Sequence, residues 1–283
     1  MARFVIITSG KGGVGKTTIT LNLAVALATF GREILVVDSN FFSPHVGLNL
    51  GYTNFNTHLH HVLKGEKDIK ESIYKHQSGI KIIPGSISLD HLQYADAEKL
   101  NRLLPDIKDE GEVILLDTSI GLTHHTQSLI KKADDMIIVT TPELSSVADS
   151  LKLIKLAKSS KINILGVIVN RVKNDGLEMT LESIQSILEL PIIAVIPDHV
   201  HVKESVKLKQ PVVYSHPTSP VTDSFKKLAG ELIGEKYESP IIEKDEEKMG
   251  SVLKKFNMDY IKSRMEELKK KVSPKDIEQE DED

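Results

Sequence analysis

The amino-acid sequence predicts an α/β fold in which helices flank a doubly wound, mostly parallel sheet. Short apolar runs alternate along the chain with amphipathic segments of helical length. Most of the runs are almost continuously apolar, which is typical of parallel strands buried on both faces. With 283 residues, 40% of them hydrophobic, the chain is long enough for one large domain or two small ones.

Seven strands and four main helices are predicted from these patterns. The second helix opens at Pro142, a residue favoured at the start of helices. Two of the helices carry apolar residues at helical spacing, which indicates a face buried in the core. The strands are 3–8, 33–38, 80–83, 113–117, 136–140, 164–170 and 192–196. The helices are 19–30, 142–159, 177–188 and 219–234. The predicted core stripes are Leu144, Val147, Leu151, Ile154 and Leu156 in the second helix, and Val221, Phe225, Leu228 and Leu232 in the fourth.

The segment between the first strand and the first helix, residues 9–18, reads SGKGGVGKTT. Its Gly10, Gly15, Lys16 and Thr17 match the P-loop pattern, in which glycines let backbone N–H groups close around phosphate oxygens. The N-terminus of the following helix adds partial positive charge. In such a loop Lys16 reaches the β- and γ-phosphates and Thr17 binds Mg²⁺. The motif therefore predicts a nucleoside triphosphate site.

A second lysine, Lys11, has no function in an ordinary P-loop. Residues 11–17, KGGVGKT, resemble the signature of the deviant Walker A ATPases, the family that contains the MinD and ParA proteins. This resemblance implies that Lys11 crosses a dimer interface to the partner's nucleotide, with two ATP molecules between two copies of the chain. It also implies ATP and Mg²⁺ as cofactors. The nucleotide-binding residues implied by the loop are Gly10, Lys11, Gly12, Gly13, Val14, Gly15, Lys16, Thr17 and Thr18.

Residues 38–51, after the second strand, resemble the switch I segment of this family, which opens with Asp-x-Asp. Asp38 is retained, and the resemblance implies that it holds Mg²⁺ through water. Asn40 stands at the position of the second aspartate, which the family uses for hydrolysis. An amide orients a water molecule but does not accept its proton as a carboxylate does. We therefore expect slow hydrolysis and a long-lived ATP state.

Residues 117–121, after the fourth predicted strand, match the Asp-x-x-x-Gly of switch II in the same family. The resemblance places Asp117 near the metal as a Walker B carboxylate, and Gly121 at a hinge whose N–H senses the γ-phosphate. The implied catalytic residues are thus Lys11, Lys16, Asp38, Asn40 and Asp117. The implied metal-binding residues are Thr17, Asp38 and Asp117.

Three later segments extend the resemblance over roughly residues 1–234. Residues 140–143 read TTPE, as in the family's VTTPE segment. The family's asparagine after the sixth strand reads the adenine edge, which implies that function for Asn170, with Arg171 beside it. A strand-end turn is the simpler interpretation of Asn170. Pro197 and Asp198 resemble the segment that frames the base.

Composition excludes several classes of protein. The absence of cysteine rules out disulfides, thiolate-bound metals and the iron–sulfur relatives of this ATPase class. No apolar run approaches the roughly 18 residues of a spanning helix, and we expect no signal peptide. Net charge is −4, but residues 238–283 hold 14 of the 40 acids and 10 of the 36 Lys and Arg, which leaves 26 of each elsewhere. This neutral main domain argues weakly against a basic nucleic-acid surface.

Two groups of histidines are candidate metal ligands. His58, His60 and His61 lie in a predicted helix after switch I, and His199 and His201 follow Asp198. Neither group has the i, i+4 spacing with a nearby acid that a zinc site usually shows. We therefore expect solvated helix residues rather than a specific metal site. His124 and His125 follow switch II, and no function is assigned to them.

The composition changes at residue 238. Residues 1–237 are expected to form the P-loop ATPase domain, 238–248 an acidic linker, 249–272 a basic amphipathic helix and 273–283 an acidic disordered tail. The helix has seven Lys or Arg against three acids between residues 250 and 272. Such a helix is typical of a membrane-surface or partner-binding element. Similarity to MinD favours membrane binding, while a coiled coil, docking to a partner, or packing on its own domain remain alternatives.

The sequence therefore predicts an ATP-dependent dimerising switch ATPase of the MinD type. Such a protein positions cell-division or other machinery by reversible membrane or partner binding, from the cytoplasm or the inner face of the cell membrane. The expected partners are a second copy, a membrane surface bound through 249–272, and an unidentified protein partner or activator. The alternatives are a ParA-like ATPase that partitions DNA or cargo, and a nucleotide-gated adaptor that barely hydrolyses ATP. A small-molecule kinase is disfavoured because Lys11 has no function in it.

Overall fold

Eight strands form one sheet in the computed structural model, which describes residues 2–121 and 123–239. The seven predicted strands are all present, within two residues of the predicted bounds. The additional strand, Tyr74–Lys75, is only two residues long, and the apolar pattern does not reveal it. The strands are β1 (Arg3–Thr8), β2 (Ile34–Asp38), β3 (Tyr74–Lys75), β4 (Lys81–Ile83), β5 (Val113–Asp117), β6 (Asp135–Thr140), β7 (Asn163–Val172) and β8 (Ile192–Pro197).

The strand order in the sheet is β3-β4-β2-β5-β1-β6-β7-β8. All neighbours are parallel except β3 and β4. The carboxyl ends of β1, β2, β5, β6 and β7 therefore meet at one edge of the sheet. Strand β1 lies between β5 and β6. Strands β2 to β5 lie on one side of β1, and strands β6 to β8 lie on the other. Ligands of such sheets bind in the crevice at this reversal of strand order.

Ten α-helices accompany the sheet in the described residues. The four main predicted helices correspond to the first, sixth, seventh and tenth of these. The first begins three residues earlier than predicted, at Lys16, and the seventh begins four residues later, at Leu181. Thr180 caps it by accepting a hydrogen bond from the Ser183 N–H, and Leu177 remains 91% exposed before it. The helices are α1 (Lys16–Thr29), α2 (Val46–Asn49), α3 (Leu59–Lys64), α4 (Ala97–Leu103), α5 (His124–Ile130), α6 (Leu144–Ser159), α7 (Leu181–Leu188), α8 (Val200–Leu208), α9 (Val212–Ser215) and α10 (Pro220–Ile233).

Two hydrophobic cores lie on the opposite faces of the sheet. Alternate residues of β1 enter different cores, Ile6 on one side and Val5 and Ile7 on the other, as the pleat of a strand requires. Helices α1 and α10 pack on one face, and α3 to α7 pack on the other. Because α1 lies between the sheet and α10, it is buried almost all round. The P-loop helix is therefore anchored along its whole length.

The predicted core stripe of α6 is wrong at two positions. Val147 and Ile154 are buried, but Leu144 is 67% and Leu156 54% exposed. Leu153 and Ala157 fill the core instead. Leu144 is the first residue of the helix, where the chain is still leaving the sheet edge, so its side chain projects beyond the core. The stripe of α10 is confirmed, with Val221, Phe225 and Leu228 buried.

The P-loop is held between α1 and α6 by close backbone packing. Gly15 precedes α1 with φ +98°, a conformation that favours glycine. A Cβ atom added at Gly10 would lie 2.2 Å from the Asp149 carbonyl carbon and 2.5 Å from the Ser150 nitrogen, both in the backbone of α6. Gly10 is thus required by contact with α6 as well as by any phosphate.

No helix of residues 2–121 and 123–239 is both long and apolar enough to cross a membrane. The boundary predicted at residue 237 lies near the end of this range. The predicted helix 249–272 and acidic tail 273–283 lie outside the described residues and stay predictions.

We expect Gly10→Ala to lower the free energy of unfolding, because α6 or the loop must shift to admit the methyl group. Overpacking of this kind costs about 1–3 kcal/mol, occasionally more. Gly12→Ala is the matched control: its Cβ would meet only the end of the Ile120 side chain, at 2.9 Å, and Ile120 is half exposed and able to rotate. Urea unfolding without nucleotide measures both variants, and equal losses would contradict the packing argument.

Candidate functional site

The P-loop joins β1 to α1 at the edge of the sheet where the parallel strands end. Gly13 and Gly15 have positive φ angles, +75° and +98°, which turn the backbone around the loop. Helix α1 starts at Lys16, so the N–H groups of its first turn have no partner within the helix. These donors and the helix dipole favour an anion at this point. The geometry of the loop therefore fits the predicted phosphate site.

Lys16 is the buried cation of the site. It is 9% exposed, and its Nζ donates a hydrogen bond to the Ser9 Oγ at 3.0 Å. Burial lowers the pKa of Lys16, and the nearby Asp117 carboxylate acts in the opposite direction. A lysine in this position gains from a negative partner, because desolvation makes an unpaired ammonium costly.

Two buried carboxylates lie side by side next to the loop. Asp38 and Asp117 are register partners at the ends of β2 and β5, and both are fully buried. Asp117 accepts hydrogen bonds from the Thr17 hydroxyl at 2.6 Å and the Thr20 hydroxyl at 3.1 Å. Burial raises the pKa of both acids, and the Asp117 charge raises the pKa of Asp38 further. The pair therefore favours a bound cation that would relieve this repulsion.

The donors at this point fit Mg²⁺. Asp38 uses one oxygen, Oδ2, to accept the Val46 N–H at 2.9 Å. Its other oxygen, Oδ1, is buried without a hydrogen-bond partner in the described structure. Together with Asp117 and the Thr17 hydroxyl, it forms a set of hard oxygen ligands of the kind that Mg²⁺ prefers, either directly or through water. The three predicted metal residues are thus brought together.

The switch I segment is bonded to the Asp117 backbone through its second residue, Ser39. The Ser39 hydroxyl donates to the Asp117 carbonyl at 2.8 Å. The Asn40 side chain turns instead to its own loop, where Nδ2 donates to the Ser43 carbonyl at 2.6 Å. Part of the Asn40 amide is thus engaged in holding the turn.

The switch II segment folds onto the P-loop. The Gly121 N–H, expected to sense a phosphate, donates to the Ser9 carbonyl at 2.7 Å. Gly121 has φ +67°, which fits a hinge glycine. The preceding Ile120 lies against Gly12 and is 50% exposed. If this segment moved, the Gly121 N–H would leave the Ser9 carbonyl and could donate to a different acceptor.

Lys11 lies at the surface, apart from the buried Lys16. Its Nζ donates to Glu143 Oε2 at 2.8 Å and to the Ser145 hydroxyl at 2.9 Å, at the start of α6. Lys11 is 39% and Glu143 63% exposed in this ion pair. The pairing lowers the pKa of Glu143. The second lysine of the motif is thus held on its own chain, outside the phosphate loop.

Asn170, predicted to read adenine, also supports the P-loop. Its Nδ2 donates to the Val14 carbonyl at 2.7 Å. Arg171 is exposed with φ +61°, where the register of β7 and β8 shifts. Pro197 ends β8, and the Asp198 N–H bonds the Val172 carbonyl at 2.9 Å. These residues lie on neighbouring strand ends, and only Asn170 bonds the loop directly.

Some residues of the site were missed by the sequence analysis. Ser9, Thr20 and Ser145 all bond to predicted site residues through their hydroxyl groups. Thr20 could have been found, since it lies three residues after Thr17 and so on the same face of α1. Ser145 has no such signal, because its partner Lys11 is 134 residues away.

The expectation of solvated histidines after switch I is wrong. His60 is fully buried and His58 is 7% exposed. The His60 ring bonds the Phe41 carbonyl at 3.2 Å and the Ser86 N–H at 3.0 Å. The sequence could not show this, because β4 and its following loop cover the start of α3.

A family model, the CobQ/CobB/MinD/ParA nucleotide binding domain, matches residues 5–212. This is more than two thirds of the chain and includes the whole site. The chain belongs to this family. The resemblance noted in residues 11–17 is therefore confirmed for the domain, and the protein is a P-loop ATPase of the MinD/ParA family.

Relatives agree with this assignment over most of their length. An uncharacterized ATP-binding protein of Methanocaldococcus jannaschii is 39% identical over 254 residues, covering 90% of this chain and 96% of that protein. The structure of the septum site-determining protein MinD with Mg-ADP from Pyrococcus horikoshii is similar with a TM-score of 0.78, 35% identity, and coverage of 82% and 96%. MinD in a MinC:MinD cell division protein complex from Aquifex aeolicus gives 0.75, 31%, and 84% and 98%.

The comparisons bear on the fold, the family and the cofactors. The predicted fold class is confirmed for the described domain, whose mostly parallel sheet matches MinD. ATP and Mg²⁺ are confirmed as the cofactors of the family, in which the Pyrococcus member is solved with Mg-ADP.

We expect Asn170→Ala to destabilise the protein in the absence of nucleotide. The change leaves the buried Val14 carbonyl without its donor, which costs about 1–3 kcal/mol. Urea unfolding without ATP measures the loss, and Arg171→Ala, at an exposed neighbour, is the control and should change stability by less than about 0.5 kcal/mol. Unchanged unfolding of Asn170→Ala, with weakened ATP binding alone, would show that Asn170 acts only on the nucleotide.

Proposed function

We propose that this protein is an ATP-dependent dimerising switch ATPase of the MinD type. One observation carries the proposal: the P-loop region contains two lysines in different environments. Lys16 is buried beside Asp117 and serves the protein's own nucleotide, whereas Lys11 lies at the surface on Glu143. Because the Lys11 side chain is directed away from the phosphate site of its own loop, it is suited to contact the nucleotide of another copy.

The energy of the Lys11–Glu143 pair supports this role. An exposed ion pair is worth about 0–1 kcal/mol. A phosphate placed against Lys11 by a second copy would offer a stronger, charge-assisted partner. Release from Glu143 is therefore a small cost, and Lys11 exchanges one negative partner for another when two copies meet.

The surface around Lys11 also suits an interface. Leu144 lies between the two residues that bind Lys11 and is 67% exposed, and Ile120 on the adjacent switch II is 50% exposed. Apolar side chains around a central charged group are typical of protein interfaces. Two copies that face each other through their P-loops would bury both side chains.

In the proposed reaction, water attacks the γ-phosphorus in line, the bond to the β–γ bridging oxygen breaks and ADP leaves, while the proton of the water passes to a phosphate oxygen. Thr17, Asp38 and Asp117 hold Mg²⁺, which neutralises charge on the phosphates. Lys16 and the partner's Lys11 stabilise the negative charge that develops on the transferred group. Asn40 orients the water without accepting its proton. Gly121 leaves the Ser9 carbonyl and donates to the γ-phosphate, which couples nucleotide state to switch II.

The dimer would bind a membrane surface or a protein partner, and hydrolysis would reverse that binding. A single helix 249–272 would bind a membrane only weakly. Dimerisation would place two such helices on the membrane at once and so strengthen the attachment. A ParA-like function on DNA is the alternative, but the balance of 26 acids and 26 Lys or Arg before residue 238 gives it no support. An adaptor that barely hydrolyses ATP is a third possibility, favoured by Asn40. The MinC partner belongs to the Aquifex protein, and an unidentified partner or activator is proposed here.

We expect Lys11→Ala to bind ATP normally but to remain monomeric and lose hydrolysis. Cations supplied across an interface contribute about 10³–10⁵ to turnover, so the rate should fall by at least about 100-fold. Light scattering with ATP and phosphate release measure the two effects. Glu143→Gln is the matched control: it removes the ion pair within the chain and should still dimerise. If Glu143→Gln behaves like Lys11→Ala, the crossing role of Lys11 is wrong.

We expect Asn40→Asp to raise the turnover rate, because a carboxylate accepts the proton of the attacking water. General base catalysis contributes about 10²–10⁴, and a rise near the lower end is expected in single-turnover hydrolysis. Asn40→Ala controls for loss of the bond to the Ser43 carbonyl. An unchanged rate in Asn40→Asp, or an equal rise in both variants, would exclude the slow-hydrolysis hypothesis.

We expect the full chain to sediment with vesicles of anionic lipid in ATP but not in ADP. A chain ending at Tyr237 should remain in the supernatant in both, because it lacks the predicted helix 249–272. It keeps the contact of the Tyr237 ring with Phe30, whose centroids are 6.2 Å apart. If the full chain sediments with neither nucleotide, the tail would be assigned to protein docking, and DNA binding with and without ATP would be measured next.

A further inference from the structure

Three histidine side chains converge outside the nucleotide site. His58 caps the start of α3, His61 follows within α3, and His91 comes from the 3₁₀ segment Leu89–Tyr94. One ring nitrogen from each lies within 4.8 Å of the others. His91 is 30 residues away in sequence, so the grouping arises only from the fold.

We propose that His58, His61 and His91 bind one divalent transition-metal ion of the Zn²⁺ class. Zn–N bonds of about 2.0–2.1 Å place tetrahedral ligand nitrogens about 3.4 Å apart. Compared with the observed limit of 4.8 Å, this requires the nitrogens to close by up to about 1.4 Å, within the reach of side-chain rotation. Imidazole ligands suit Zn²⁺, Ni²⁺ and Cu²⁺ but not Mg²⁺ or Ca²⁺, which prefer oxygen.

Two of the histidines have unused buried nitrogens. His58 Nδ1 and His61 Nδ1 are buried without a hydrogen-bond partner among the described residues. Buried polar atoms normally have partners, and exceptions call for an explanation. The two rings stack with centroids 3.7 Å apart, which brings the side chains together, and one ring would rotate to direct both in-plane lone pairs at one ion. A metal ion would satisfy both atoms at once.

His91 is oriented by a second bond. Its Nδ1 lies 2.7 Å from the Ser86 hydroxyl, which leaves Nε2 for an ion. Histidine ligands usually bond a neighbour through the other ring nitrogen, which sets the direction of the ligand atom. Ser86 would thus orient the His91 ring without binding the ion itself.

The charge state of the group also suits a metal. Burial and the neighbouring histidines lower the pKa of His58 to about 4, and burial lowers that of His61. Both shifts favour the neutral form of His58 and His61, which is the form that binds metal. Glu66 opposes this shift at His61, while Lys64, Lys67 and His91 support it.

A second group, formed by His199, His201 and His216, has no such open geometry. His216 pairs with Glu204 at 3.2 Å, and His201 Nδ1 bonds the Ser219 hydroxyl at 2.9 Å. His199 Nδ1 accepts the His201 N–H at 3.2 Å and caps α8. This group supplies a control that contains the same residue type.

The test is a titration of the full chain with Zn²⁺ against a chromophoric chelator, followed by Co²⁺ absorption spectroscopy. We expect one Zn²⁺ to bind, and tetrahedral Co²⁺ bands to appear. His91→Asn and, separately, His61→Gln should weaken that binding at least tenfold and abolish the bands. His199→Asn, which keeps a good helix cap, should retain both.

The fold of each variant is checked by circular dichroism and ATP binding, and His61→Gln carries the test if His91→Asn does not fold. Zn²⁺ should raise the melting temperature of the wild type and of His199→Asn only. Zn²⁺ affinity equal to wild type in both cluster variants would overturn the proposal. Loss of the Co²⁺ bands in His199→Asn alone would overturn it as well, because the ion would then lie in the second group.

Discussion

Two buried carboxylates on adjacent strands are the constraint on which the rest of the site depends. Asp38 and Asp117 lie next to each other, fully buried, where their negative charges repel. The protein tolerates them because Lys16, two threonine hydroxyls and the Val46 N–H surround the pair. One oxygen of Asp38 is nevertheless left over. The pair therefore favours a bound cation, and Mg²⁺ is the cofactor of this family.

The two proposed switch segments are attached directly to this centre. Ser39, the second residue of switch I, bonds the Asp117 backbone, while Gly121 closes switch II and bonds Ser9 of the P-loop. Switch I has a second bond to the centre, from the Val46 N–H to Asp38, and the base of switch II is bonded through Thr118 to the Ile7 carbonyl. The strands behind both segments are buried in the two cores, so a change of partner at the strand ends leaves the sheet in place.

The sequence was sufficient for the sheet and the phosphate loop, because apolar strands and the KGGVGKT motif are local patterns. It was insufficient where the decisive contact is distant. The exposure of Leu144 depends on where α6 leaves the sheet, and β3 has only two residues. Leu156 is a different case, because it lies two positions after the buried Ile154, about 200° around the helix, and so on the opposite face. The bond from Asn170 to Val14 and the bond from Lys11 to Ser145 each join residues more than 130 positions apart. The grouping of His91 with His58 and His61 likewise depends on a tertiary contact, here between segments 30 residues apart.

The two edges of the sheet have a consequence for aggregation. On one side, the edge strand β3 is only two residues long, runs antiparallel and ends in the exposed Lys75. On the other, β8 follows Pro191 and ends at Pro197, which has no N–H to donate. Short, charged or proline-bounded edges resist the addition of further strands. In the described part of the chain, both edges of the sheet therefore disfavour aggregation by strand addition from a neighbouring molecule.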